Sequence, residues 1–149
     1  MIAVKSSSFL NNELIPEKYT CDGKNVNPPL QILNVSKEAK SLILIVDDPD
    51  APKGVWTHWI VFNIRPDVTV IEEDDVPEGG VLGTNTSSRV GYEGPCPKRG
   101  ETHRYFFKVY ALDIIFSLET RGANRKQIEK AMENHVIDKG ELMGRYFRK

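Results

Sequence analysis

Three apolar runs set the framework of this chain. Residues 41–46 read Ser-Leu-Ile-Leu-Ile-Val and stop at Asp47-Asp48-Pro49. A short apolar run closed by a turn signal predicts a buried strand, here ending in a proline-rich loop. Residues 59–64, Trp-Ile-Val-Phe-Asn-Ile, predict a second strand, ended by Pro66. Residues 105–112, Tyr-Phe-Phe-Lys-Val-Tyr-Ala-Leu, predict a third. Pro16, Pro28, Pro29, Pro77 and the Gly79-Gly80 pair punctuate the rest as turns. Many short strands joined by Gly/Pro turns predict a β-sandwich or barrel. One helix stands out near the end. Asn124 is a good N-cap, and Gln127 is placed to complete a capping box. Ile128, Ala131, Met132, His135 and Val136 then share one helical face, with Gly140 expected to end or interrupt it.

A chain of 149 residues is expected to form one domain, residues 1–149, with a sizeable core. Hydrophobic residues make up 40%, which is enough for that core. The net charge of -1 argues against a generic nucleic-acid binder. There is no run of about 18 apolar residues, so no transmembrane helix is expected. The start, Met1-Ile2-Ala3-Val4-Lys5-Ser6, has no apolar core of a secretion signal, which points to a cytoplasmic protein. In a reducing compartment Cys21 and Cys96 are expected to be free thiols, and their spacing is not that of a zinc site.

Two short stretches carry the candidate chemistry. The first is Asp48-Pro49-Asp50-Ala51-Pro52, followed by Trp56-Thr57-His58-Trp59. The second is Gly91-Tyr92-Glu93-Gly94-Pro95-Cys96-Pro97, followed by His103-Arg104-Tyr105. Each sets a stiff loop beside a histidine at the mouth of a strand. Proline fixes φ and removes a donor, so Asp48 and Asp50 can either serve a ligand or hold their own loop through backbone N–H groups. Side chains alternate along a strand. His103 and Tyr105 should therefore face one side and Arg104 the other, where it can organise loops through Asp48 or Asp50. Trp59 is expected in the core and His135 in a packing or capping role. Glu72 to Asp75 form an acidic run expected at the solvated surface. The proline-rich loops are candidates for cis peptide bonds.

These stretches closely resemble the phosphatidylethanolamine-binding protein family, which includes the Raf kinase inhibitor proteins, and in particular its compact bacterial and archaeal branch. The likeness runs from Cys21-Asp22-Gly23 and Asn27-Pro28-Pro29-Leu30, through both motifs, to the tail around Leu142 and Tyr146. It implies a mainly β fold, an antiparallel Greek-key sandwich with a peripheral C-terminal helix. It implies a ligand pocket made of Asp48, His58, Gly94, Pro95, His103 and Tyr105, with Asp50 organising the loop. It also brings the loops of Cys21 and Cys96 near one another. The chain departs from the family where two adjacent prolines usually follow the cysteine. Here Pro97 leads into Lys98-Arg99-Gly100, which adds basic charge at the rim.

The chemistry expected is binding rather than catalysis, without cofactor or metal. Imidazole and phenol donate to phosphate oxygens, and a carboxylate can hold a histidine protonated or meet an ammonium group. The ligand is therefore expected to be phosphate or a phosphoethanolamine-like zwitterion. The resemblance adds kinases or proteases as protein partners, and a homodimer. A metal-dependent phosphoester hydrolase using the same Asp/His set is the alternative. No His-Glu-x-x-His, Gly-x-Ser-x-Gly or Walker-type stretch supports it.

Overall fold

The computed structural model describes residues 1–117 and 122–149. Within them the chain forms nine strands, one α-helix and a short 3-10 turn at Glu17–Tyr19. The strands are β1 (Ala3–Lys5), β2 (Glu13–Leu14), β3 (Leu30–Leu33), β4 (Ser41–Asp48), β5 (Trp56–Ile64), β6 (Val70–Ile71), β7 (Val81–Leu82), β8 (Thr102–Leu112) and β9 (Val136–Phe147). The helix, α1, spans Arg125–Met132. A six-stranded sheet runs β2-β9-β8-β4-β5-β7, and a three-stranded sheet runs β1-β3-β6. All pairings are antiparallel except β2 with β9.

The period of two along β4 explains the layers. Leu42, Leu44 and Val46 join Val4, Ile32, Trp59, Phe107 and Leu142 in the core between the two sheets. Ile43 and Ile45 join Phe62, Phe116, Ile128 and Met132 in a second cluster beneath α1. Because β4 is covered on both faces, all eight of its residues are buried. Its unbroken apolar run, without alternation, is the sequence signature of that placement.

The capping box forms as expected. Asn124 accepts from the Gln127 N–H, and the Gln127 side chain accepts from the Asn124 N–H. The helix itself is shorter than the periodicity predicts. It stops at Met132, Asn134 turns with φ 66°, and Val136 opens strand β9. His135 and Val136 are thus not on the helix, and His135 Nδ1 pairs with Asp113 at 2.8 Å. Gly140 lies inside β9, opposite Val109 of β8. A Cβ there would strike the Ile2 carbonyl oxygen, so glycine is what lets β1 approach this strand. Every peptide bond among the described residues is trans.

The two cysteines are not free. Cys21 and Cys96 form a disulfide with a Cα separation of 5.5 Å. The expectation of free thiols rested on a reducing compartment and fails here. The cystine staples the loop after the 3-10 turn to the loop before β8. Three hydrogen bonds reinforce it: Cys21 N–H to Pro95 O at 3.1 Å, Gly94 N–H to Asn25 Oδ1 at 2.8 Å, and Tyr92 O–H to Tyr19 O at 2.7 Å.

Candidate ligand site

Asp48, His58, Gly94, His103 and Tyr105 all line one cavity of about 250 Å³ at the end of the six-stranded sheet. Ala51, Pro52, Trp56, Glu93, Cys96, Pro97 and Lys98 complete its wall. Pro95 does not line it. That residue is buried behind the wall, where its carbonyl receives the Cys21 N–H. Gly94 lines the cavity, but its missing side chain serves the opposite direction. A Cβ would meet the Tyr19 carbonyl and, at 2.5 Å, Asn25 Oδ1, so glycine is required by the stapled loop.

Backbone geometry aims each side chain. On β8, His103 and Tyr105 are buried while Arg104 is exposed, as alternation predicts. On β5, alternation alone would send His58 to the helix side with Ile60. A bulge intervenes: Val46 pairs with Trp59 and Asp47 with Thr57, which leaves His58 as the extra residue. His58 therefore joins Trp59 on the inner face, and Thr57 turns outward to accept from Arg125 at 3.0 Å. Bulges commonly redirect a side chain at a site in this way.

Asp48 is fully engaged. Its Oδ1 accepts the Asp50 N–H at 2.7 Å, and its Oδ2 faces His103 Nδ1 at 2.7 Å. His103 Nε2 meets Glu101 Oε1 at 2.9 Å. An imidazole between two carboxylates donates to both only as the cation. Burial opposes that charge, but the hydrogen bonds to Asp48 and Glu101 outweigh it, and the His103 pKa is raised. His58 goes the other way. Burial lowers its pKa, against the opposing pull of the Glu93 carbonyl, which Nδ1 contacts at 2.6 Å. A carbonyl only accepts, so the Nδ1 proton is committed to it, and neutral His58 keeps a bare Nε2 lone pair.

Tyr105 is the most telling residue. Its ring meets His58 edge-on at 5.3 Å between centroids. Its hydroxyl is buried and has no hydrogen-bond partner. Burial raises its pKa far above the ordinary phenol value, so the hydroxyl keeps its proton. Glu93 Oε2 is also buried without a partner. Buried polar atoms are nearly always paired, and two of the four unpartnered buried side-chain atoms among the described residues belong to residues that line this cavity.

Asp50 lies outside this set. Its carboxylate accepts from the Arg104 backbone N–H, Nε and NH2 at 3.0, 2.9 and 2.9 Å. The Arg104 side-chain hydrogen bond holds the Asp50 carboxyl below its usual pKa. Asp50→Ala is therefore expected to lower the melting temperature while leaving ligand affinity nearly unchanged. Thermal melts beside binding titrations check this, and lost affinity at unchanged melting temperature would make Asp50 a ligand contact.

Sequence reasoning did not single out Glu93 or Glu101 as wall or partner residues; of the two tryptophans flanking His58, Trp56 lines the cavity and Trp59 sits in the core. Glu101 could have been found, because it stands two residues before His103 and alternation puts them on one face. The partner of Asp48 and the neutral state of His58 were not readable. On the outer face, the equally buried Asp47 takes Lys108 and Arg125 at 3.0 Å each. Asp47 and Asp48, neighbours in sequence, thus serve opposite faces of the sheet. Among the described residues, no group of three or more His, Cys, Asp or Glu side chains is arranged to hold a metal ion. No helix among them is long and apolar enough to cross a membrane.

Comparison with known proteins identifies the family of the chain. The model of the family described as phosphatidylethanolamine-binding protein matches residues 5–147. A UPF0098 protein of Pyrococcus horikoshii is 54% identical over 151 residues, covering 97% of this chain and 76% of that protein. A UPF0098 protein of Methanothermobacter thermautotrophicus is 50% identical, covering 97% of this chain and 98% of its own. The crystal structure of a phosphatidylethanolamine-binding protein homolog from Chlamydia trachomatis superposes with a TM-score of 0.94 at 41% identity, covering 99% of this chain and 98% of that one. Escherichia coli YbcL, described as a member of the mammalian family, superposes with a TM-score of 0.92 at 29% identity, covering 99% of both chains. With its matching fold and its match across nearly the whole length, this chain belongs to the phosphatidylethanolamine-binding protein family.

Proposed function

We propose that this protein binds a small phosphate-bearing ligand of the phosphoethanolamine type in the cavity beside Tyr105, and that it acts as a binding protein rather than an enzyme. The observation that carries this reading is the buried, unpartnered Tyr105 hydroxyl among residues lining the same cavity as His58 and His103. A hydroxyl in that position donates to a phosphate oxygen, and the His103 cation adds charge. The bare Nε2 of neutral His58 and the orphaned Glu93 oxygen call for donors, which an ammonium arm supplies. A simple anion would satisfy only half of these groups. By family resemblance, the partner class we propose is a kinase or protease, met through the loops at the cavity mouth, and the assembly is a homodimer. A cytoplasmic location fits the cystine only where intracellular disulfides persist.

Calorimetric titration with O-phosphoethanolamine tests the reading. The second pKa of the phosphoryl group is about 6, so between pH 7.5 and 9 it is almost wholly dianionic and its charge is nearly constant. Binding uses protonated His103, whose pKa lies above the ordinary value. Affinity should thus fall as pH rises through that pKa, approaching tenfold per pH unit, the slope for one proton. Tyr105→Phe should weaken binding roughly tenfold or more without loss of stability, since the hydroxyl it removes has no partner. Equal affinity in Tyr105→Phe and wild type would remove the site.

A further inference from the structure

The positive groups around the cavity are nearly all engaged. Both ring N–H groups of the His103 cation are taken, by Asp48 at 2.7 Å and by Glu101 at 2.9 Å. Arg104 is turned outward onto Asp50. Arg99 does not line the cavity, and its Nη1 donates to the Lys149 carbonyl at 2.9 Å. Lys98 is different. It lines the cavity, is exposed, and its ammonium has no hydrogen-bond or ion-pair partner among the described residues. Its backbone is held. Cys96 is bridged to Cys21, Pro97 is buried, and the Lys98 carbonyl accepts from the Glu101 N–H at 3.0 Å. The stem is thus fixed at the rim, while the flexible four-carbon side chain can follow a ligand. The acidic groups set its importance. Asp48 and Glu93 line the cavity and Glu101 stands on His103, so without Lys98 these three carboxyl groups would surround one imidazolium.

We propose that Lys98 anchors the phosphate of the ligand, and that it tilts the cavity towards free phosphomonoesters over the phosphodiester of a lipid headgroup. This rests on the reading of the cavity as a phosphate site. The energy between two charges scales with their product. At pH 7.5 a phosphomonoester is almost wholly dianionic, whereas a phosphodiester carries one charge. One ammonium at one distance therefore gains about twice as much from the monoester. Ordering the lysine side chain and giving up translational freedom cost both ligands alike, so these terms cancel in the comparison. His103 cannot supply the same contact, because both its donors are held by carboxylates. Lys98 is the lining cation whose donors are open to the ligand among the described residues.

The test uses two ligands with the same ammonium arm, O-phosphoethanolamine as free monoester and glycerophosphoethanolamine as the lipid-type diester. Both are titrated at pH 7.5 into wild type, Lys98→Gln, Lys98→Arg and Arg99→Gln. Arg99→Gln is the matched control, since it removes the same charge one residue on, outside the cavity lining. Lys98→Gln should weaken the monoester about tenfold and the diester about threefold, so that the monoester-to-diester affinity ratio falls about threefold. Lys98→Arg keeps the charge and should keep the wild-type ratio. Arg99→Gln changes only the distant, screened field and should stay within about twofold of wild type for both ligands. Equal losses in Lys98→Gln and Arg99→Gln, or a ratio that Lys98→Gln leaves unchanged, overturn the role of Lys98 and leave the cavity reading standing. No binding of either ligand to any of the four proteins removes the cavity reading, and this inference with it.

Discussion

Replacing Cys21 and Cys96 together with serine is expected to lower stability by about 4 kcal/mol, and the melting temperature by roughly 10 °C. The cysteines are 75 residues apart, so the bridge restricts a long stretch of the unfolded chain. The cost also has a local side. The loops it joins are tied by the bonds of Pro95, Gly94 and Tyr92 to Cys21, Asn25 and Tyr19, which give partial support after the bridge is gone. Calorimetric scans of wild type with and without reductant, beside the double serine variant, measure the effect. Wild type with reductant should melt with the variant. Identical melting of all three would mean that the bridge does not form in solution. Cys96 lines the cavity, so the variant should also show weaker ligand binding than its stability alone requires.

Gly140→Val is expected to cost about 3 kcal/mol, at the upper end for overpacking. Its Cβ would overlap the Ile2 carbonyl, which is backbone and cannot rotate aside. Relief requires β1 to move off β9, and Ile2 and Val4 would then leave the core between the sheets. Glu141→Val is the matched control. It adds the same β-branched residue one position on, at an exposed site, and should stay within about 0.5 kcal/mol of wild type. Chemical denaturation of the three proteins decides the matter. Equal stability of Gly140→Val and Glu141→Val would show that β1 does not pack against β9 as described.

The same glycine shows where the sequence misleads. Between residues 128 and 136 the apolar spacing suits a helical face, and the capping box at Asn124 and Gln127 is real. The helix nevertheless ends at Met132, because Asn134 turns the chain and β8 offers an open edge along its whole length. Strand β9 carries two glycines and several charges, and its apolar alternation is confined to Leu142 and Tyr146. Its pairing with β8 decides its conformation, and local propensity does not. The charged positions Lys139 and Glu141 are outward-facing strand residues that resemble helix surface when read alone.

What the sequence determined by itself was the mainly β architecture, the three principal strands, the helix cap, the opposed facing of His103 and Arg104, and the residues that define the family. These are carried by local features: runs of apolar side chains, proline and glycine stops, and a period of two. What only the tertiary structure decided was the disulfide, the last strand, the inward turn of His58 by a bulge, and the protonation of the two histidines. Each depends on groups distant in the chain. Cys21 meets Cys96, Val46 and Asp47 set the register of β5, and Asp48 meets His103 across 55 residues. Charge state follows from burial and partners, and a linear sequence fixes neither until the sheets have closed around it.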